Sequence, residues 1–148
     1  MAAMKIVVGL DDSPAGEDAL RTAIGFAGKL GAEVDAVFVS HVPATVLAAM
    51  GGVPTVGDEF AAAQRNQVWN RMRPIIDGAP VTVHGIDLEG YPPDALVAHA
   101  VGVNADLLVV GSRGRGDLAS LLLGSTSHRV VNHAPCDVLV VRHQEERT

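Results

Sequence analysis

Residues 5–39 read KIVVGLDDSPAGEDALRTAIGFAGKLGAEVDAVFV, with an apolar stretch on either side of a helical pattern. Lys5–Leu10 and Glu33–Val39 have the length and the apolar content of buried strands. Between them, Ser13 can cap a helix, Pro14 suits its first position and Gly31 suits its end. Apolar side chains recur there at spacings of three and four, at Leu20, Ala23, Ile24, Ala27 and Leu30. The stretch therefore predicts a strand, a helix and a second strand, with parallel strands and a right-handed crossover.

The remainder of the chain continues this alternation. Three further strands are predicted, at Val81–Leu88, Leu107–Val110 and Val138–Val141, together with three further helices, from Asp58 to Arg73, from Asp94 to Val101 and from Ser125 to His133. Pro74 is expected to end or kink the first of these helices. Pro43–Gly57 is interpreted as a surface loop. The sequence therefore predicts an α/β fold in one domain, residues 1–148, with a doubly wound, five-stranded parallel sheet in the order 3-2-1-4-5 and about four helices.

The composition excludes several classes of function. The 148 residues have a formal net charge of -6, and the 11 lysines and arginines are spread along the chain, which opposes a nucleic-acid surface. The one cysteine, Cys136, excludes an intrachain disulfide and fits a reducing compartment. The first residues lack the features of a signal peptide, and no apolar run approaches the ~18 residues of a membrane span. We therefore expect a cytoplasmic protein that binds neither nucleic acid nor membranes, and the spacing of its histidines predicts no zinc site.

The connection after the fourth predicted strand is rich in glycine. Residues 111–125 read GSRGRGDLASLLLGS, with glycine at positions 111, 114, 116 and 124. The connection is longer than the roughly 2 to 6 residues that usually join a strand to a helix. A strand followed by a glycine-rich loop and a helix start brings backbone N–H groups close to an anion. The loop is therefore interpreted as a phosphate-binding site, and the alternative is that its apolar residues 118–123 pack on the sheet or on a second subunit.

Two common phosphate-binding motifs do not fit this loop. A Walker A loop requires a lysine, and the only lysines are Lys5 and Lys29. A dinucleotide-type GxGxxA pattern begins at Gly114, but the acidic residue that follows at about the right distance, Asp137, stands at the start of a strand instead of its end. The sequence therefore predicts neither a P-loop nor a dinucleotide site.

Three stretches carry a resemblance to a known family. They read VVGLDDSPAGEDAL at residues 7–20, ADLLVVGSRGRG at residues 105–116 and LLLGSTSHRVVNHAPCDVLVVR at residues 121–142. Together with the spacing G-x2-G-x9-G-S of Gly111, Gly114, Gly124 and Ser125, they resemble the universal stress protein family over nearly the whole chain. The resemblance implies a Rossmann-like sheet of the adenine nucleotide alpha hydrolase-like kind, a homodimer, and membership of the ATP-binding branch of the family.

The resemblance also implies which residues hold the nucleotide. Asp11 would contact the ribose or the adenine, and the backbone of Gly9, Leu10 and Val39 would line the base pocket. The phosphates would lie against the glycine-rich loop and the following helix start, at Gly111, Ser112, Arg113, Gly114, Gly124, Ser125 and Thr126. Any Mg2+ would be carried on the phosphates. His41, just beyond the second strand, is a further candidate to flank the base.

The residues of the loop indicate binding more strongly than catalysis. The loop lacks a lysine, and no residue stands out as a positioned general base. We therefore expect an ATP-dependent regulatory switch in the stress response, with little or no efficient hydrolysis. Two alternatives stay open: a dimeric protein-interaction module that does not bind nucleotide, and a slow ATPase. The last strand, Val138–Val141, is expected at a sheet edge, where it would pair with a second copy of the chain.

Overall fold

A computed structural model describes residues 3–51, 54–112 and 123–143, except for the side chains of residues 54–56. The strands and helices follow one another as β1 (Lys5–Leu10), α1 (Pro14–Leu30), β2 (Glu33–Ser40), α2 (Ala44–Ala49), α3 (Pro54–Asp77), β3 (Val83–Glu89), α4 (Pro92–Gly102), β4 (Leu107–Gly111), α5 (Ser125–His133) and β5 (Asp137–Val141). None of the described helices has the length and apolar content that crossing a membrane requires.

The strands form one parallel sheet in the order β3-β2-β1-β4-β5, which confirms the predicted fold class and strand order. β1 lies at the centre, between β2 and β4, and its residues Ile6, Val7 and Val8 are completely buried. From β1 the chain continues to β2 on one side, and it later returns to β4 on the other. The strand order therefore reverses between the carboxyl ends of β1 and β4, where ligands usually bind in folds of this kind.

Helices cover both faces of the sheet. Successive side chains of each strand point to opposite faces, so both faces carry apolar side chains that a layer of helices buries. On one face, Leu20 of α1 and Met72 of α3 belong to the same buried cluster. On the other face, Leu96 of α4 and Val130 of α5 belong to a second cluster. α4 and α5 are thus neighbours on one face. Each follows a parallel strand, so both helices begin at the carboxyl edge of the sheet.

The ends of α1 follow the sequence signals closely. The Ser13 hydroxyl accepts a hydrogen bond from the N–H of Gly16 at 3.1 Å, and Pro14 takes the first helical position. At the other end, Gly31 has a φ of 67°, in the left-handed region that favours glycine, and its N–H donates to the Ala27 carbonyl. These caps confirm the predicted bounds of α1.

The prediction of a surface loop over Pro43–Gly57 is wrong in two places. Residues Ala44–Ala49 form the short helix α2, and α3 begins at Pro54 instead of Asp58. Alanine and leucine are good helix formers, and proline is well suited to a first helical turn. The described fold thus has five helices where about four were predicted.

Pro74 does not end α3, which was one of the two effects predicted for it. The helix continues to Asp77, and the Pro74 carbonyl still accepts a hydrogen bond from the N–H of Gly78 at 3.2 Å. Ile75 and Ile76 pack against the core beneath α3, so continuing the helix beyond the proline buries apolar surface. That burial offsets the hydrogen bond that the proline cannot donate.

Candidate functional site

A cleft of about 300 Å³ opens at the carboxyl edge of the sheet, where the strand order reverses. Its walls come from the ends of β1, β2 and β4 and from the starts of α1, α4 and α5. Eight of the residues singled out from the sequence line it: Gly9, Leu10, Asp11, Val39, Gly111, Gly124, Ser125 and Thr126. The structure therefore brings together residues that are more than 100 positions apart in the chain.

The other candidates lie differently. Ser112 lies beside the cleft, where its N–H donates to the Val141 carbonyl and its own carbonyl accepts from the N–H of Gly124, both at 2.8 Å. It thus joins β4, β5 and the start of α5. Arg113 and Gly114 lie outside the described residues.

Asp11 is held by the turn that joins β1 to α1. The Ser13 hydroxyl donates a hydrogen bond to the Asp11 carboxylate and accepts one from the N–H of Gly16. Gly16 lies so close that a Cβ atom there would be 2.8 Å from the carbonyl oxygen of Asp11 and 3.2 Å from its nitrogen. Only glycine fits at this position, and its small size lets the turn present Asp11 to the cleft.

The start of α5 supplies hydrogen-bond donors. The first backbone hydrogen bond of this helix runs from the N–H of His128 to the Gly124 carbonyl at 2.9 Å. The N–H groups of Ser125, Thr126 and Ser127 therefore precede the helical ladder, and all three residues line the cleft. The first turn of α5 contains no acidic residue, whereas the first turn of α1 contains Glu17. This end of the cleft thus favours an anion.

The Ser127 side chain attaches α5 to the sheet. Its hydroxyl donates a hydrogen bond to the Gly111 carbonyl at the end of β4, and the residue is buried. Ser127 was not predicted as a site residue, although it is the third hydroxyl-bearing residue in a row at this helix start. Its role is to fix the start of α5 against the strand that precedes the glycine-rich loop.

The opposite end of the cleft is apolar and carries a backbone acceptor. The N–H of Glu33 donates to the Met4 carbonyl, next to β1, at 2.9 Å. Alternate residues of a strand direct their backbone groups to the same neighbour, so Val39 also directs its carbonyl to the side of β1. The paired register of the two strands ends at Leu10 and Phe38. The Val39 carbonyl therefore lies beyond the last pair, beside the cleft.

α4 contributes wall residues that the sequence did not predict. Pro92 and Leu96 line the cleft, and a Cβ atom on Gly9 would be 2.8 Å from a terminal carbon of Leu96. Nothing in the local sequence distinguishes Leu96 from any other apolar helical residue. Its position depends on how α4 packs on β1 and β2. The other lining residues that were not predicted, besides Ser127, are Gly16, Val37, Phe38 and Val110.

A cluster of polar and aromatic side chains stands beside the cleft, next to Pro92. The ring centroids of His41 and Tyr91 are 6.0 Å apart in an edge-to-face arrangement. Arg129 of α5 lies over the Tyr91 ring at 5.7 Å and donates to the Asp94 carboxylate at 2.8 Å. His41, a candidate to flank the base, has its ring beside Tyr91 and is not among the described residues that line the cleft.

The charge of the described cleft is limited to one group. Asp11 is the only ionisable residue among the described residues that line it, and no lysine or arginine is among them. An anion would therefore be met by backbone N–H groups and hydroxyls in this part of the cleft. This arrangement suits binding, and it offers no described cation to stabilise charge that develops during phosphoryl transfer.

Comparison with known proteins identifies the family of the chain. The sequence model of the universal stress protein family matches residues 3–142. Universal stress protein MJ0531 from Methanocaldococcus jannaschii is 34% identical over 143 residues, which cover 93% of this chain and 81% of that protein.

Solved structures agree with this comparison. Universal stress protein UspA from Lactobacillus plantarum superposes with a TM-score of 0.80 at 26% identity, over 96% of this chain and 100% of that one. A universal stress protein in complex with cAMP gives a TM-score of 0.71 at 28% identity, over 97% and 100% of the two chains. The universal stress protein from Archaeoglobus fulgidus in complex with dAMP gives 0.69 at 25% identity, over 95% and 99%. The chain described here belongs to the universal stress protein family.

Proposed function

We propose that the protein binds ATP in the cleft at the carboxyl edge of the sheet and acts as a nucleotide-dependent regulatory switch in the stress response. The observation that carries the proposal is the placement of the Ser125–Ser127 N–H groups in the same cleft as Asp11 and the Val39 carbonyl. This combination suits a ligand with an anionic end and a polar, flat end. The related structures in complex with cAMP and dAMP support an adenine nucleotide as that ligand.

The apolar end of the cleft suits the adenine. Val37, Val39 and Leu96 offer apolar surface to the faces of a base. The Val39 carbonyl can accept a hydrogen bond from the exocyclic amine of adenine, whereas guanine presents a carbonyl oxygen at that position. The same contact would therefore favour adenine over guanine. With guanine, two carbonyl oxygens would face each other without a hydrogen bond, which is costly in a site shielded from water.

The start of α5 suits the phosphates. Its free N–H groups and the Ser125 and Thr126 hydroxyls can donate to phosphate oxygens, and the helix dipole favours negative charge there. In this proposal Arg113 and Gly114 of the glycine-rich loop, together with Ser112, complete the phosphate site. Mg2+ would be carried on the phosphates of the nucleotide.

The proposed role is regulation with little or no efficient hydrolysis. Asp11, the ionisable residue of the described cleft, already accepts a hydrogen bond from Ser13. A slow ATPase would form ADP at a rate that falls in Ser125→Ala.

We further propose that residues 1–148 act as one cytoplasmic domain that dimerises through β5, which lies at an edge of the sheet. If the protein forms this dimer but binds no nucleotide, the alternative function, a dimeric protein-interaction module, would apply.

Replacing Asp11 with asparagine is expected to weaken ATP binding by roughly tenfold or more, because a carboxylate is a stronger hydrogen-bond acceptor than an amide for the hydroxyls or amine of the nucleoside. Asparagine keeps the shape of the side chain and can still accept from Ser13, so the fold is expected to stay intact. Isothermal titration calorimetry with ATP and Mg2+ measures the change.

Asp18→Asn is the matched control for this variant. Asp18 lies on α1, outside the cleft, and its carboxylate is 2.6 Å from Nδ1 of His143. Its replacement is expected to leave ATP affinity unchanged. Equal affinities of Asp11→Asn and Asp18→Asn would show that Asp11 does not contact the nucleotide.

A further inference from the structure

We propose that Arg71 of α3 is a positioning residue of the cleft, which holds the turn carrying Asp11 and so couples the placement of α3 to nucleotide binding. This inference rests on the proposed nucleotide site. Arg71 itself lies outside the cleft, since none of the described lining residues belongs to α3. Any influence on a ligand must therefore pass through the residues that Arg71 contacts.

Arg71 contacts both sides of the turn between β1 and α1. Its Nε lies 3.0 Å from a carboxylate oxygen of Asp12, and its Nη1 lies 3.4 Å from a carboxylate oxygen of Glu17. Asp12 immediately precedes the capping residue Ser13, and Glu17 belongs to the first turn of the helix. The side chains are 33%, 20% and 27% exposed for Arg71, Asp12 and Glu17, so the pairs are partly shielded from solvent. One guanidinium thus links the entry and the first turn of α1.

The turn transmits a displacement of either carboxylate to Asp11. The N–H of Glu17 donates to the Ser13 carbonyl at 3.2 Å, and the Ser13 hydroxyl donates to Asp11. Gly16 packs against the Asp11 backbone with no room for an additional carbon atom. A turn packed this tightly moves as a unit, so releasing Asp12 and Glu17 from Arg71 would shift the carboxylate of Asp11 in the cleft.

The other end of the link is anchored in the core. Val68 and Met72 of α3 are 1% and 0% exposed, and they belong to the same buried cluster as the apolar face of α1. Arg71 is adjacent to Met72 and therefore projects from a fixed part of the helix. The coupling free energy between two sites acts in both directions. A nucleotide that fixes Asp11 would therefore also stabilise the contacts of α3 with the turn.

An isolated pair of this exposure contributes little to stability. The proposal therefore concerns the position of Asp11, and its test needs a measurement that stability alone does not change. Arg65→Gln supplies the matched control. Arg65 lies on the same helix, is 30% exposed and forms an ion pair with Glu89 at 3.9 Å, away from the turn.

Two measurements on the full chain decide the proposal. By calorimetry, Arg71→Gln is expected to weaken ATP binding by about fivefold or more, whereas Arg65→Gln stays within about twofold of the unmodified protein. By hydrogen exchange without nucleotide, the Gly16 and Glu17 amides are expected to exchange faster in Arg71→Gln than in Arg65→Gln.

The outcomes separate this proposal from the proposed function. Unmodified protein that binds ATP, with an Arg71→Gln variant of equal affinity, would overturn the coupling alone. If the unmodified protein binds no ATP, the proposed function and the coupling both fail. Unchanged amide exchange at Gly16 and Glu17 would overturn the positioning role, whatever the nucleotide result.

Discussion

Replacing Gly16 with alanine is expected to lower the free energy of unfolding by about 1–3 kcal/mol, although the same change usually stabilises a helix by roughly 0.5–1 kcal/mol. The added Cβ would lie 2.8 Å from the carbonyl oxygen of Asp11 and 3.2 Å from its nitrogen. These are backbone atoms, which cannot rotate away as the end of a side chain can. The turn must therefore shift, and ATP affinity is expected to fall by at least about tenfold as Asp11 is displaced.

Gly25→Ala is the control within the same helix. Gly25 is exposed, and an added Cβ meets no atom within 4 Å. Its replacement is therefore expected to raise the free energy of unfolding by roughly 0.5–1 kcal/mol and to leave ATP affinity unchanged. Urea denaturation measures the first quantity and calorimetry the second. Two variants that stabilise the protein equally would contradict the tight contact between Gly16 and Asp11.

Asp35→Ala is expected to lower the free energy of unfolding by about 2–4 kcal/mol at neutral pH, because it removes the nearest opposite charge from Lys5 and the hydrogen-bond partner from His99 at a buried position. The Asp35 carboxylate is 5% exposed and lies 3.0 Å from Nζ of Lys5 and 2.9 Å from Nε2 of His99. Lys5 retains a more distant contact with Glu33 at 3.6 Å, which limits the loss. Exposed Asp77 is the control position, where alanine is expected to change the stability by less than about 0.5 kcal/mol.

The stabilisation by Asp35 is expected to depend on pH. Burial raises the pKa of this carboxyl group, but the hydrogen bonds to His99 and Lys5 and their positive charge outweigh burial, so the pKa lies below its ordinary value of 3.8. A carboxyl group whose pKa is lower in the folded protein stabilises the fold above its unfolded pKa. That contribution is lost as the pH falls through the folded pKa. The difference between the unmodified protein and Asp35→Ala should therefore shrink below about pH 4, and a constant difference down to pH 2 would contradict this account.

The parts of the fold that the sequence predicted correctly have strong local signals. Ser13, Pro14 and Gly31 each act on the backbone within one turn, so they define both ends of α1 regardless of the rest of the chain. The continuous apolar runs are also local signals, and they identified the buried strands. α2 was missed because its residues, ATVLAA, are almost all apolar, so its sequence shows no alternation between an apolar and a polar face. The continuation of α3 beyond Pro74 has no local signal, because the burial of Ile75 and Ile76 depends on tertiary packing.

The candidate site was predictable to the extent that it lies directly after strands. Asp11, Gly111 and Gly124 occupy the positions where a doubly wound sheet usually binds ligands, and the structure gathers them in one cleft. Leu96 and Arg71 were not predictable in this way. Leu96 reaches the cleft because α4 packs on the sheet, and Arg71 meets Asp12 across 59 positions of the chain. Neither contact has a local sequence pattern, since each depends on the packing of whole helices.

The central claim is that the cleft holds an adenine nucleotide, and titration of the full chain with ATP and Mg2+ in a calorimeter tests it most directly. We expect saturable binding of one ATP per chain with a Kd below about 1 mM, a binding free energy of at least about 4 kcal/mol. We also expect competition by dAMP and weaker binding of GTP, because the Val39 carbonyl favours the amine of adenine. Failure of the unmodified protein to bind at millimolar ATP would contradict the claim and favour a protein-interaction module of the same fold.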